Sequence, residues 1–381
     1  MNVQNATKLL TTLAVYWTTS VGVCNITEMA EWPNPQPADS RSLLLTPSSE
    51  SSDSIASGPD VSGPASSKPD SPRKPRMYYS DTSYGRPFAK DPDVVRFKGK
   101  YLMYYSINRR KKGIAIGIAE SNDLESWKKA GEILPSAKYE RRGLAAPAAI
   151  VIDDKVHLFY QTYGNGRNDA ICHALSRDGI HFNRNPTNPI FSPAGEWNCG
   201  RAIDAEVIEH NGRMLLYCAT RDPAMKIQML TVAEAPVKSD FGRNCWTQMC
   251  NESILKPELP WEKNCIEAPA VCRHNRRLFM FYAGAYNNQP QQIGCAVSAD
   301  GFSWERLSAL PLLPNGQSGE WNSSESGHPG IFEDEDGQMY LFFQGNNDNG
   351  ATWFLSKMKV EWESNKPYLI RPGDGRTFRL K

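Results

Sequence analysis

The chain predicts an all-β fold, a five-bladed β-propeller, preceded by a signal-like segment and a disordered linker. Three observations carry that expectation. A hairpin-like stretch is written five times; a second motif, Ser-x-Asp with an aromatic at its seventh place, advances in step with it; and no segment between the hairpins has apolar residues at helical spacing. A (β/α)8 barrel would need amphipathic helices in those intervals, and none is supplied.

The first copy, KDPDVVRFKGKYLMYYS at Lys90 to Ser106, reads as a polar, proline-marked start, a strand, a tight Lys98-Gly99-Lys100 turn and an aromatic second strand. Variants follow at Leu144–Thr162, Ala202–Thr220, Ile266–Gly284 and Gly327–Gly345, with turns built from Asp, Asn, Gly or Lys and the longest turn, EDEDG, last. SNDLESW begins at Ser121, SRDGIHF at Ser176 and SADGFSW at Ser298. Ser121 and Ser176 are 55 residues apart, as are Pro92 and Pro147; Ser176 and Ser298 are 122 apart, as are Pro147 and Pro269. Two unrelated motifs moving together mark units of about 60 residues, each expected to hold four short strands.

Composition sets the outer bounds. Lys+Arg 43 against Asp+Glu 42 leaves a net charge of +1, which argues against nucleic-acid and anionic-membrane partners. The nine cysteines contain no CxxC pair, so a zinc ribbon or a thioredoxin-type site is not expected. Cys172, Cys218, Cys272 and Cys295 fall in apolar runs as buried thiols, whereas Cys245, Cys250 and Cys265 share one irregular segment where a disulfide is a candidate if the protein is exported. Residues 1–24, with Lys8 ahead of a mostly apolar run from Leu9 to Cys24, resemble a secretory signal too short and polar to span a membrane. Residues 25–76 are Ser- and Pro-rich and have too few apolar side chains to offset ordering entropy, so a linker is expected there and the folded domain at 77–381. Export is the expectation; a cytoplasmic protein with a misplaced start is the alternative.

In a propeller the first strand of each blade lines the central axis, and the residues at its start converge at one end. Those positions carry Asp91, Ala145-Ala146, Asp204, Glu267 and His328, with Pro92, Pro147, Pro269 and Pro329 close behind and Ala205 in place of a proline. A single strand-end carboxylate reads as a solvated turn cap. Three that converge repel one another, an arrangement kept where chemistry requires it. Glycoside cleavage fits, since it needs an acid for the leaving oxygen and a second carboxylate as base or nucleophile. No GxSxG elbow, phosphate-cradling Gly loop or HExxH motif competes with it.

KDPDVV, AIDAEV and EAPAV resemble the base, pKa-modulator and acid motifs of glycoside hydrolase family 43, and GHPGIFEDEDGQMYLFFQG is similar to that family's last-blade motif around a central His. The resemblance spans about Arg86 to Lys359, and families 32 and 68 share the propeller. It implies Asp91 as general base, Asp204 as modulator and Glu267 as general acid, with inversion of the anomeric centre. Families 32 and 68 would instead imply retention. The chain departs from the family pattern in reading Glu-Ala-Pro for Glu-Gly-Pro and in Ala205. Asp93, on the same strand face as Asp91, is the rival for the base.

The resemblance also brings a calcium in the central channel into consideration, held through water by His328. His328 is equally a hydrogen-bonding neighbour of Glu267 or a substrate ligand, and no cofactor is required by the chemistry. Trp197, Trp261 and Trp321 precede axis residues by six or seven positions, where a ring can stack on a sugar or pack between blades. Arg201 is a candidate ligand for an acidic or sulfated sugar or a partner for a carboxylate. Arg221, in Arg221-Asp222-Pro223, is a turn residue or a substrate contact. The expected function is hydrolysis of a glycosidic bond in a poly- or oligosaccharide by a monomer. The alternatives are a β-fructosidase-like retaining hydrolase, a phosphorolytic enzyme and a non-catalytic carbohydrate-binding propeller.

Overall fold

The structure is a computed structural model that describes residues 76–381. The signal-like segment at 1–24 and, but for its last residue, the linker at 25–76 lie outside the described residues. Five antiparallel sheets follow one another along the chain. Blade I holds β1 (Lys90–Phe97), β2 (Lys100–Asn108), β3 (Ile114–Ser121) and β4 (Lys128–Ile133). Blade II holds β5 (Leu144–Ile152), β6 (Lys155–Thr162), β7 (Ile171–Ser176) and β8 (Phe182–Arg184). Blade III holds β9 (Ile203–His210), β10 (Arg213–Arg221), β11 (Gln228–Pro236) and β12 (Thr247–Gln248), and blade IV β13 (Ile266–His274), β14 (Arg277–Gly284), β15 (Gln292–Ser298) and β16 (Glu305–Arg306). Blade V adds a fifth strand: β17 (Glu325–Glu333), β18 (Met339–Asn346), β19 (Phe354–Glu363), β20 (Lys366–Ile370) and β21 (Thr377–Arg379).

Local chemistry accounts for the hairpins. Lys98-Gly99, Asp153-Asp154, Asn211-Gly212 and Asn275-Arg276 each close a two-residue loop with both φ angles positive, the turn whose twist matches a right-twisted strand pair. The Ser-x-Asp repeats form the turn between the third and fourth strands. Ser176 Oγ accepts from Gly179 N at 2.8 Å and donates to Asp178 Oδ1, which accepts from Ile180 N and His181 N. Ser121 with Asp123 and Ser298 with Asp300 repeat that arrangement. One motif builds the inner hairpin and the other the outer turn, which is why they keep step.

The inner strands form a closed ring, β1 against β5, β5 against β9, β9 against β13, β13 against β17 and β17 against β1. The apolar core is divided in the same way into five clusters, one at each blade interface. Tyr104 and Tyr160 are buried between blades I and II, Phe159 and Cys218 between II and III, and Tyr217 and Tyr282 between III and IV. Phe281 and Phe343 lie between IV and V, and Tyr105 and Phe342 between V and I. The last interface also takes Met77 and Tyr79. Tyr79 pairs with Leu355 of β19 in both directions, at 2.9 and 2.8 Å, so the start of the folded chain is knitted to its final blade.

All eight cysteines among the described residues are free thiols, so the disulfide considered for Cys245, Cys250 and Cys265 is not formed. Each faces a different partner: Cys245 Sγ meets Asp240, Cys250 Sγ meets Thr231 Oγ1, and Cys265 is fully buried with Gln228 Nε2 at 3.6 Å.

Candidate active site

At one end of the ring every inner strand carries a bulge. Asp91, Ala146, Asp204, Ala268 and His328 have φ of 55, 45, 53, 50 and 45°, and the β-ladder skips at each of them. A non-glycine residue in this region costs about 1–3 kcal/mol and persists only where its surroundings over-determine it. Four of the five are fixed by a side chain from an adjoining blade. The N–H of Asp91 donates to Gln344 Oε1 (3.1 Å), that of Ala146 to Ser106 Oγ (2.9 Å), that of Asp204 to Gln161 Oε1 (2.7 Å) and that of His328 to Gln291 Oε1 (3.1 Å). The register expected from sequence changes in blade IV. There Ala268 occupies the bulge, and Glu267 stands one residue earlier, level with Lys90, Ala145, Ile203 and Gly327.

The bulges bring Asp91, Asp204 and His328 together. His328 Nε2 lies 3.4 Å from Asp91 Oδ1 and 3.3 Å from Asp204 Oδ1, and Lys90 Nζ is 4.0 Å from Asp91 Oδ1. All three are buried. Burial alone would raise the Asp91 carboxyl, but His328 and Lys90 outweigh it and hold the group below the ordinary aspartate value. Burial likewise opposes the charged imidazole of His328, and the two aspartates overcome it, raising its pKa to about 9.

Glu267 is held differently. Gln291 Nε2 donates to its Oε1 at 2.6 Å and Gln228 Nε2 to its Oε2. Both glutamines are fully buried and both are oriented by second partners. Gln291 bonds Ala285 O and the His328 N–H, while Gln228 Oε1 accepts from Arg201 Nη1 (3.1 Å) and Arg221 Nε (2.8 Å). Burial, reinforced by Asp204, raises the Glu267 carboxyl above the ordinary glutamate value despite His328, Gln291 and Lys90. The pocket thus holds an aspartate kept ionised and a glutamate pushed towards its protonated form.

Sequence reasoning singled out neither glutamine. They lie 39 and 24 residues from Glu267, and the one available signal was that Gln228 opens β11 while Gln291 directly precedes β15. Arg201 also pairs with Asp169 at 3.6 Å, and Arg221 lies over the Tyr286 ring at 5.2 Å; Asp222 caps the following turn through Lys226 N and Ile227 N. Trp321 packs against Gly345, Phe343 and Tyr78, and Trp261 stacks on Tyr282, so packing accounts for both rings. Trp197 lies beside Gly195 with its buried Nε1 unpartnered among the described residues. Asp93 is farther along β1, where its Oδ2 accepts the Ala149 N–H at 2.5 Å; burial raises it to about 7. Among the described residues no three His, Cys, Asp or Glu side chains are grouped to hold a metal ion.

A ring of five blades with buried carboxylates gathered at one end defines the class of propeller glycosidases. Comparison with known proteins agrees: the family model described as "Glycosyl hydrolases family 43" matches residues 85–365, and the chain belongs to that family of glycosidases. A thermostable family-43 glycoside hydrolase is similar in fold at 19% identity, over 80% of this chain and 99% of its own, with a TM-score of 0.63. An endo-1,4-β-xylanase from Bacteroides thetaiotaomicron matches at 20% identity, over 77% and 96% of the two chains, with a TM-score of 0.59. An α-L-arabinofuranosidase from Lactobacillus brevis matches at 17%, over 77% and 95%, with a TM-score of 0.57.

Proposed function

We propose that the protein cleaves a glycosidic bond in a poly- or oligosaccharide by single displacement with inversion. Asp91 serves as the base that activates water, Glu267 as the acid that protonates the leaving oxygen, and Asp204 as the group that raises and orients that acid. The observation that carries this reading is the opposed treatment of two carboxyls in one pocket, Asp91 beside His328 and Lys90, Glu267 beside Asp204 and two neutral amides. Environments that push two carboxyl pKa values apart assign base and acid. Asp93, raised by burial and spent on a backbone N–H, is the weaker base.

The structural neighbours, an endo-1,4-β-xylanase and an α-L-arabinofuranosidase among them, make plant-type pentose polymers the first substrates to try. The test is turnover by Asp91→Asn and Glu267→Gln, with the product anomer followed by NMR. Loss of activity in both variants and an inverted first product support the reading. Near-normal turnover in either variant overturns the assignment of that residue, and a retained anomer replaces single displacement with the β-fructosidase-like alternative. The signal-like residues 1–24 carry a further proposal of export, checked by the N-terminal sequence of the mature protein.

A further inference from the structure

A second feature lies beside the site and is used by none of the steps above. Between blades II and III lies a groove of about 680 Å³, lined by the segments that lead into β7 and β9 and by residues at and just before β12. Its walls include Gly200, which directly precedes Arg201 of the site, and Asn168, which directly precedes Asp169, the ion-pair partner of Arg201. The groove is thus bordered by the chain neighbours of the Arg201–Asp169 pair, and Arg201 in turn donates to Gln228 beside Glu267. Its floor is apolar, with Phe191 mostly buried and Trp246 partly exposed. Its charged residues are all of one sign: Arg167 and Arg243 line it, and no Asp or Glu does.

Neither arginine is paired with a carboxylate among the described residues. Arg243 is nevertheless fixed. Its Nε donates to Pro189 O and its backbone N–H to Thr187 Oγ1, both at 2.8 Å, which orders the stem and leaves the two terminal amino groups for a ligand. Arg167 sits in a short turn, Gly166–Asn168, whose neighbouring carboxylate, Asp169, is engaged by Arg201 and by the Asn165 N–H. In a chain whose charges otherwise nearly cancel, a carboxylate-free groove with two exposed guanidinium groups is a local positive excess. A planar guanidinium suits carboxylate and sulfate alike, and the partly exposed Trp246 offers apolar surface to a sugar ring.

We propose that this groove binds an anionic stretch of glycan, bearing uronate or sulfate groups, and so holds acidic polysaccharide alongside the cleavage site. The proposal rests on the reading of the protein as a glycosidase, since it is the adjoining site that makes a glycan the occupant. Electrostatic binding at exposed arginines must weaken with salt.

The test compares the full-length protein with an Arg167→Ala/Arg243→Ala variant and an Arg167→Lys/Arg243→Lys variant by affinity electrophoresis and calorimetry. The probes are polygalacturonate, a sulfated galactan, neutral arabinan and neutral xylan. The expected result is tighter binding of at least one acidic polymer than of the neutral ones. The alanine pair should weaken it by about tenfold, the lysine pair by less, and 0.5 M salt should act like the alanine pair (about tenfold is the loss of one charge-assisted hydrogen bond). A response to polygalacturonate alone names carboxylate as the group recognised, and a response to the galactan alone names sulfate. Equal binding of acidic polymer by the alanine variant, or no preference for acidic over neutral polymers, overturns the proposal. Hydrolysis of small aryl glycosides is measured in parallel and should be the same in all three proteins. Its absence from all three would count against the glycosidase reading, while the binding data would still judge the groove.

Discussion

Two buried glutamates show how differently this fold treats the same side chain. Glu140, just before blade II, is fully buried and fully compensated. Arg184 Nε and Tyr160 Oη donate to its Oε1 at 2.8 and 2.6 Å, and the Ser136 and Ala137 N–H groups donate to its Oε2. Burial would raise its pKa, but Arg184, Tyr160 and Ser136 bring it below the ordinary value. Glu262, before blade IV, repeats the arrangement with Arg306 and Tyr282. Glu267, five residues on, has two amides and a nearby aspartate where the others have an arginine, and its pKa moves the opposite way from that of Glu140. Burial by itself therefore sets no direction; whether a matching cation accompanies it does.

The comparison is broken most easily by exchanging the outcomes of the two substitutions. Glu140→Gln should destabilise the fold by about 3–5 kcal/mol, because it strands Arg184 in a buried site. Thermal denaturation would show that loss, with turnover per folded molecule largely kept. Glu267→Gln should do the reverse, lowering kcat/KM by about 10²–10⁴-fold with little change in melting temperature. A stability loss in the second variant matching that in the first would erase the distinction.

The histidines sharpen it on a smaller scale. His328, held charged by two aspartates, has its folded pKa raised to about 9 from 6.5, so its contribution is complete below pH 6.5 and is lost as the pH rises towards 9. Fully realised, that is about 3 kcal/mol. His157 and His173 stack on each other among Phe159 and Phe241, and burial lowers them to about 4 and about 3. Their contribution is complete above pH 6.5 and is lost as the pH falls towards those values. Urea midpoints should therefore peak near neutrality, and His328→Asn should flatten only the alkaline side.

Gln291→Ala removes a donor that favours the Glu267 carboxylate. The alkaline limb of the kcat/KM profile should move to higher pH, with a fall of about tenfold at the optimum. A purely structural glutamine would lower stability and leave the limb in place. The smallest effect belongs to the outer turns: Ser176→Ala forfeits the cap on Gly179 N and should cost about 1 kcal/mol without touching turnover.

How much of this was legible in the sequence follows the same division. The repeats were legible because each hairpin and each Ser-x-Asp turn is built from residues adjacent in the chain. Asp91, Asp204 and His328 were legible because the repeat placed them in one register. The offset of Glu267, two residues ahead of its proline where Asp91 is one ahead, was legible too, but that Ala268 takes the bulge in its place was not. Gln228 and Gln291 were not, because their roles come from arms reaching across blades to partners dozens of residues away. Glu140 and Glu262 were passed over for the same reason: the arginines that neutralise them, Arg184 and Arg306, each stand 44 residues downstream.

The central claim is that Glu267 is the buried acid that protonates the leaving oxygen. Its most direct test is the leaving-group dependence of Glu267→Gln. Substrates whose leaving groups need no proton, such as dinitrophenyl glycosides, should retain most of their rate, while native oligosaccharide linkages lose it. A uniform loss across leaving groups, or oligosaccharide turnover close to that of the unmodified protein, would contradict the claim.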